Sequence, residues 1–480
     1  MNFIYIFRNV PLAMEAGATI VALKVLSLIL LLYFSHSQSR QDTLETCTPQ
    51  TRLHLSERRW MSTKTGYRQL VAELHSSDNY HAPNCTTVHL WTIIRHGTRY
   101  PSKDAIRLMT ENLPKLRDEI LKIENSPMCE NELDLLRNWK SDAELDNSKN
   151  LHVVGDDEMV LLGERWLNRF PDLLGSYDET KFRFRSTETE RSKRSGDGVI
   201  TGLWSRILVP KVKWNIIKTG HDPLIRFYKV CDAWIRDVKK NKNAIKERAL
   251  FEESLTMKDT IESVSKYVGL NLTLSDVDMM YVTCNFDLAW SRDHVSPWCQ
   301  VFSDLDLKVM EYREDLEYYW LDGPGHSINS QPACVLMEDV IKTFNDISAG
   351  DTQKGTFYFT HSGTILKLLT HLNLYDDEEP LKSNNFETMQ NRNWKTSKFG
   401  AFGANVAFSL QQCVNKELKV GLFVNEKLTK IPGCEGNSWC SLNTFKRIFD
   451  RTNGCNLTEI CSISSNIDQV DEMDVPDDKY

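Results

Sequence analysis

TTVHLWTIIRHGTRYPS, residues 86–102, is the stretch on which the reading of this chain turns. From Thr86 to Ile94 it is apolar and β-branched, with the length and composition of a buried strand. It runs straight into Arg95, His96 and Gly97, and Arg99 follows at once. Two guanidiniums crowd one imidazole, in a chain whose formal net charge is −8. Ligands of open α/β sheets gather just beyond the carboxyl ends of strands. Other strand ends that carry chemistry are therefore expected to meet this one in a single crevice.

Four more runs read as strands: KFRFR (181–185), GTFYFT (355–360), ANVAFSL (404–410) and KVGLFVN (419–425). Helical patterns lie between them. SGTILKLLTHLNL (362–374) places Ile365, Leu368, Leu369 and Leu372 on one face. Ser303 and Asp306 stand at capping-box spacing ahead of a helix that runs to Trp320. Strands alternating with helices predict an α/β core with flanking helices. The stretch 205–330 is poorer in strands and richer in helical charge patterns such as VKKNKNAIKERALFEESL (238–255), and reads as a mostly helical inserted domain. The α/β domain is then discontinuous, 41–204 and 331–462, and 463–480 is an acidic tail.

Residues 19–34, TIVALKVLSLILLLYF, are apolar apart from Lys24 and precede a polar segment. They read as the core of a signal peptide spanning 1–40, with a retained anchor as the alternative, so a membrane enters only if this segment is kept. Twelve cysteines without CxxC or metal-ligand spacing suit disulfides in an oxidising compartment. Sequons at Asn84, Asn271 and Asn456 agree with the secretory pathway, leading to the cell surface, the ER lumen or secretion. The acidic balance argues against a nucleic-acid partner.

Three of the strands end on loaded residues: Arg95-His96-Gly97, Arg185-Ser186-Thr187 and His361-Ser362-Gly363. A phosphate monoester needs several donors at once, and arginine's planar fork suits it. Arg95, Arg99 and Arg185 are expected to hold the non-bridging oxygens. A neutral His96 among them is a nucleophile whose pKa the nearby charge depresses. Gly97 is expected to let the backbone approach the anion, and His361 to add a donor. The cluster of Arg95, Arg99, Lys103, Arg185, Arg191, Lys193 and Arg194 favours a polyanionic small molecule. Arg191, Lys193 and Arg194 read equally well as a solvated helix face.

RHGTRYPS (95–102) resembles the nucleophile motif RHGxRxP of the histidine acid phosphatase superfamily, and RSTETERS (185–192) resembles its second phosphate-binding segment. CNFDLAWSRDHVSPWCQVFSDLDLKVMEYREDLEYYW (284–320), followed by INS (328–330), is similar to a segment of the multiple inositol polyphosphate phosphatases. The resemblance implies a histidine phosphatase-like α/β fold with a mixed sheet and a helical insertion, acting on inositol polyphosphates without metal or cofactor. It implies His96 as nucleophile, Arg95, Arg99 and Arg185 as phosphate ligands, His361 as the second histidine, and Lys103 as a basic contact to a highly phosphorylated substrate. It also suggests that Cys284 pairs with Cys299. Cys434 with Cys440 and Cys85 with Cys413 are further candidates, and Cys231 is open between Cys455 and Cys461.

The chain departs from the resemblance at one place. Family members carry an acid one or two residues after the second histidine, and here Ser362 and Gly363 follow. That acid protonates the leaving alkoxide, and its loss is expected to slow poor leaving groups by ~10²–10⁴. Three readings stay open: an inositol polyphosphate phosphatase working through a phosphohistidine, a degenerate relative that binds phosphorylated ligands with weak turnover, and a broad acid phosphatase.

Overall fold

The computed structural model describes residues 61–72, 80–218, 220–291, 296–435, 438–449 and 455–463. The signal-peptide reading of 1–40 and the acidic tail from 464 onward lie outside them.

The β-branched and aromatic runs become strands that the rest of the chain covers. In chain order they are β1 (Cys85–Arg95), β2 (Phe182–Ser186), β3 (Trp214–Ile216), β4 (Gly355–Thr360), β5 (Asn405–Cys413), β6 (Leu418–Val424), β7 (Lys427–Thr429) and β8 (Trp439–Ser441). They make one mixed sheet in the order β3-β2-β4-β1-β5-β6-β7, with β8 against β6. The pairings from β3 to β1 are parallel, and those from β5 outward are antiparallel. β4 is buried at every residue, as a central strand covered on both faces must be.

Six helices position the site: α1 (Val153–Arg169), α2 (Glu190–Leu203), α3 (Leu274–Trp290), α4 (Asp304–Leu321), α5 (Cys334–Ser348) and α6 (Ser362–His371). The period-2 alternation of the strands sorts the core. Leu90, Ile94, Phe184, Phe357 and Phe359 face Met159, Leu162, Val199 and Ile200 of α1 and α2. Trp91, Ile93, Tyr358 and Phe408 face the opposite way, into a core that includes Leu336 and Val340 of α5 and Ile365, Leu368 and Leu369 of α6. That second core continues into the helical layer through Met280 and Tyr281 of α3 and Leu307, Met310 and Tyr312 of α4. α4 starts at its capping box: Asp306 N–H donates to Ser303 Oγ at 3.2 Å, and Ser303 N–H donates to Asp306 Oδ2 at 2.8 Å. Such a cap stabilises a helix start by about 1 kcal/mol.

The helical stretch does not begin at 205. Trp214 packs against Phe184 and Phe359, which draws residues 214–216 onto the sheet as β3 beside β2. Helix also precedes the stretch: Leu113, Ile120 and Leu136 lie in the same core as α3 and α4.

Among the described residues, disulfides join Cys85 to Cys413, Cys231 to Cys461, Cys284 to Cys299, Cys334 to Cys455 and Cys434 to Cys440. The first ties β1 to β5. Asn84, Asn271 and Asn456 are all exposed. No helix among the described residues is long and apolar enough to cross a membrane.

Candidate active site

The three loaded strand ends are neighbours because β2, β4 and β1 are adjacent and parallel. Their registers bring the ends level: Arg95 lies opposite Thr360, and Ser186 opposite Phe359. One residue further on, the chain leaves the sheet at Thr187, His361 and His96. His96 N–H donates to Thr360 O at 3.0 Å, and Thr187 N–H donates to Phe359 O at 3.1 Å.

His96 is 1% exposed. Its Nδ1 lies 2.9 Å from the Gly97 carbonyl oxygen. A carbonyl only accepts, so Nδ1 carries the ring proton and Nε2 keeps its lone pair. Burial, then the guanidinium of Arg191, then that of Arg95, hold the imidazole well below the usual histidine range. His361 caps α6 with its ring centroid 5.6 Å from that of His96. Its Nδ1 lies 3.4 Å from Arg191 Nη2, and its Nε2 3.1 Å from Thr187 Oγ1. Arginine only donates, so this ring has the opposite tautomer, with its proton on Nε2 toward Thr187. Burial and then Arg191 also lower its pKa well below the usual range.

The loop after His96 is fixed by α1. A Cβ on Gly97 would stand 2.6 Å from Gly155 O, and one on Gly155 would stand 2.1 Å from Thr98 O. Both glycines are required by this backbone contact. Thr98 donates through N–H and Oγ1 to the buried Glu158 of α1, at 3.2 and 2.8 Å. The Gly97 amide donates to Ser195 Oγ at 3.0 Å. Gly97 thus serves helix packing here.

The arginines divide differently from the sequence reading. Arg95 donates to Thr63 O at 2.5 Å and Gly400 O at 2.6 Å, and its guanidinium lies 4.5 Å over Phe402. Arg99 is 2% exposed and donates to Tyr100 O at 2.7 Å. Both line a cavity of about 720 Å³, together with His361. Arg185 does not. It grips Asp222 through Nε and Nη2, at 2.8 and 2.7 Å. β2 continues through Ser186, so Arg185 lies within the strand. The pleat turns it to the same side as Arg183, opposite to Phe184, where Asp222 meets it. Arg191, at the second position of α2, lines the cavity instead. Lys103 is exposed at the start of a short helix and is not part of the lining, whereas its neighbours Asp104 and Ala105 are.

The cavity wall opposite the strand ends comes largely from the helical layer. Lys64, Arg226, Lys239, Lys242, Lys246 and Arg248 join Arg95, Arg99 and Arg191 in the lining, against the carboxylates Asp104, Glu252, Glu314, Glu317 and Asp322. Several of the carboxylates are already paired, Glu314 with Lys64 at 2.9 Å and Glu252 with Arg248 and Arg313 at 3.0 and 2.7 Å. The chain is acidic overall and its cavity is cationic, an arrangement that focuses field on anions. The sequence signal for this wall was the run 238–255, read there only as helical charge.

A sequence profile described as the histidine phosphatase superfamily (branch 2) matches residues 88–425. The chain belongs to that superfamily. The match runs from β1 through β6 and so includes both imidazoles and Arg191. The chain is 28% identical over 410 residues to multiple inositol polyphosphate phosphatase 1 of Drosophila melanogaster, covering 81% of this chain and 83% of that protein. It is 26% identical over 430 residues to the Gallus gallus protein of the same name, covering 84% and 92%. In fold it is similar to the crystal structure of the phytase from D. castellii, with TM-score 0.66 and 18% identity over 84% of this chain and 87% of that one. It is also similar to the Bifidobacterium longum multiple inositol polyphosphate phosphatase crystallised with inositol hexasulfate, with TM-score 0.62 and 16% identity over 82% and 97%.

Proposed function

We propose that this histidine phosphatase removes phosphate from inositol polyphosphates through a phosphohistidine on His96. One observation carries the reading. A neutral, buried imidazole, with Nδ1 tied to its own backbone, stands beside Arg95, Arg99, Arg191 and His361, and those four line a cationic cavity. Nε2 attacks phosphorus in line with the ester oxygen. The guanidiniums hold the non-bridging oxygens and balance the charge of the transferring phosphoryl group. Water then attacks the phosphohistidine and releases inorganic phosphate. In this reading the helical wall, with Lys239, Lys242, Lys246 and Arg248, grips the phosphates that are not being transferred, so one cavity serves a ring that carries many.

The test is phosphate release from inositol hexakisphosphate by the wild type and by His96→Ala. The expected result is loss of turnover in the variant, and equal release by both would remove the mechanism.

Gly363 favours a second reading. No carboxylate stands at 362 or 363, where both residues line the cavity. A protein that binds phosphorylated ligands and turns them over weakly would look the same. Gly363→Glu discriminates: a large gain in turnover supports a weakened site, and brisk wild-type turnover without gain places the proton donor elsewhere.

The reading also includes residence in the secretory pathway. It is supported by the five disulfides among the described residues and by exposed sequons at Asn84, Asn271 and Asn456. A mass shift on enzymatic removal of N-glycans from the secreted protein tests it.

A further inference from the structure

An alkoxide of inositol is a poor leaving group and has to be protonated as the P–O bond breaks. Ser362 and Gly363 cannot do this as carboxyl groups, so a proton has to come from another element. The carboxylates of the cavity differ in what holds them. Glu314 answers Lys64, Glu252 answers Arg248 and Arg313, and Glu317 answers Arg248. Asp104 is exposed and pairs with Arg107 within its own helix.

Asp322 stands apart from these in position. It follows the last residue of α4 and lines the cavity with His361, Ser362 and Gly363. A Cβ built on Gly363 would lie 3.4 Å from Asp322 Oδ1 and 3.4 Å from Tyr228 Cζ, both ordinary contacts. The space that a side chain at 363 would enter is thus bordered by the carboxylate of Asp322. Its partner is Lys367, one turn along α6 from Gly363, with Nζ 3.1 Å from Asp322 Oδ1. Lys367 is fixed in turn by the Leu321 carbonyl at 3.0 Å and by the Trp234 ring at 4.1 Å.

We propose that Asp322, held by Lys367, supplies from α4 the leaving-group proton that α6 does not supply at residue 363. This rests on the phosphohistidine reading. As the His96 Nε2–P bond forms and the P–O ester bond breaks, the electron pair stays on the ester oxygen, which takes a proton from the Asp322 carboxyl. In the second half-reaction, water attacks phosphorus without help from Asp322, and the dihydrogen phosphate that forms returns a proton to the Asp322 carboxylate before it leaves. The P–N bond breaks with its electron pair returning to Nε2. The Asp322–Lys367 pair carries one transferable proton through the cycle. Burial supports this, because it brings the Lys367 ammonium down to about 8 and eases passage of its proton to the aspartate.

The experiment compares two leaving groups. 4-Nitrophenolate leaves without help and the inositol oxygen does not. In Asp322→Asn, kcat for inositol hexakisphosphate is expected to fall by about 10²–10⁴-fold, with 4-nitrophenyl phosphate within about fivefold of wild type. The retained nitrophenyl activity certifies the fold. Gly363→Glu added to Asp322→Asn is expected to restore much of the loss. An Asp322→Asn variant that keeps wild-type turnover of inositol hexakisphosphate overturns the proposal. So does equal loss on both substrates at unchanged thermal stability. If stability falls, Asp322→Asn/Lys367→Met removes the pair without leaving a buried charge, and the same ratio of the two activities decides. A wild type that hydrolyses the nitrophenyl ester and not the inositol ester overturns the role of Asp322 while sparing His96. A wild type that hydrolyses neither removes the phosphohistidine reading, and this proposal with it.

Discussion

Arg191→Ala and Arg185→Ala separate two arginines that the sequence presents six residues apart in one basic segment. Arg191 is 9% exposed, lines the cavity and, after burial, is the largest influence lowering the pKa of both imidazoles. Removing one preorganised donor from a transferring oxyanion costs about 2.7–4 kcal/mol, or 10²–10³ in rate. The bond from Arg191 to the Lys149 carbonyl is long at 3.5 Å, so the expected stability change is at most about 1 kcal/mol. Arg185 reverses both terms. Its deletion leaves Asp222, 2% exposed, without the bidentate partner that holds it. Breaking a buried pair in this way costs about 3–5 kcal/mol. Asp222 also accepts from Leu224 and Ile225 N–H at 2.9 and 3.1 Å, and Ile225 O accepts from the Thr360 and Thr364 hydroxyls. The damage therefore spreads through the fold beneath the site. Urea unfolding and kcat/KM with inositol hexakisphosphate, measured on both variants, give the comparison. Arg191→Ala should be stable and slow, and Arg185→Ala unstable with near-normal kcat in its folded fraction. Arg191→Ala within threefold of wild-type kcat/KM, or Arg185→Ala slow at full stability, refutes the assignment.

The depressed pKa of His96 has a definite sign in activity. The neutral ring is the nucleophile, so turnover of 4-nitrophenyl phosphate should persist as pH falls through 6.5, the ordinary histidine value, and fail only well below it. An acid limb at 6.5 in the kcat profile contradicts this. Lys242→Ala/Lys246→Ala trims the exposed part of the cationic wall. At up to about 1 kcal/mol per surface charge, KM for inositol hexakisphosphate should rise roughly five- to thirtyfold at low salt, and less at high salt, with little change for the nitrophenyl ester. An equal rise for both esters contradicts the role of the wall. Cys231→Ser/Cys461→Ser removes one of the two disulfides that tie the segment Cys455–Cys461 to the core and should cost about 2–5 kcal/mol in urea unfolding. An unchanged midpoint contradicts that.

Long, saturated strands were legible because burial on both faces leaves little freedom of composition. GTFYFT at 355–360 coincides with β4, and the capping residues Ser303 and Asp306 mark the start of α4. β3, β7 and β8, each three residues long, are too short for periodicity to register and are set by packing such as that of Trp214. Convergence of three strand ends was also legible, since it follows from adjacency of parallel strands. Which arginine lines the cavity was not. Arg185 and Arg191 stand in one basic segment, and only tertiary placement shows that Asp222 takes Arg185 while Arg191 lines the cavity. Asp222, the partner that claims Arg185, carries no local signal. The wall from Lys239 to Arg248 was hidden for a related reason: lysines facing a cavity and lysines facing solvent have the same composition, and only tertiary placement distinguishes them. The packing role of Gly97 was hidden too, because it required seeing Gly155 against it.

The most direct measurement is the site of covalent phosphorylation. Wild-type protein mixed with 4-nitrophenyl phosphate, quenched in base and digested, should carry a phosphoryl group on Nε2 of His96 in the peptide that contains residues 95–99. His96→Ala should carry none. Phosphate on another residue, or brisk turnover by a protein that never labels His96, would contradict the account.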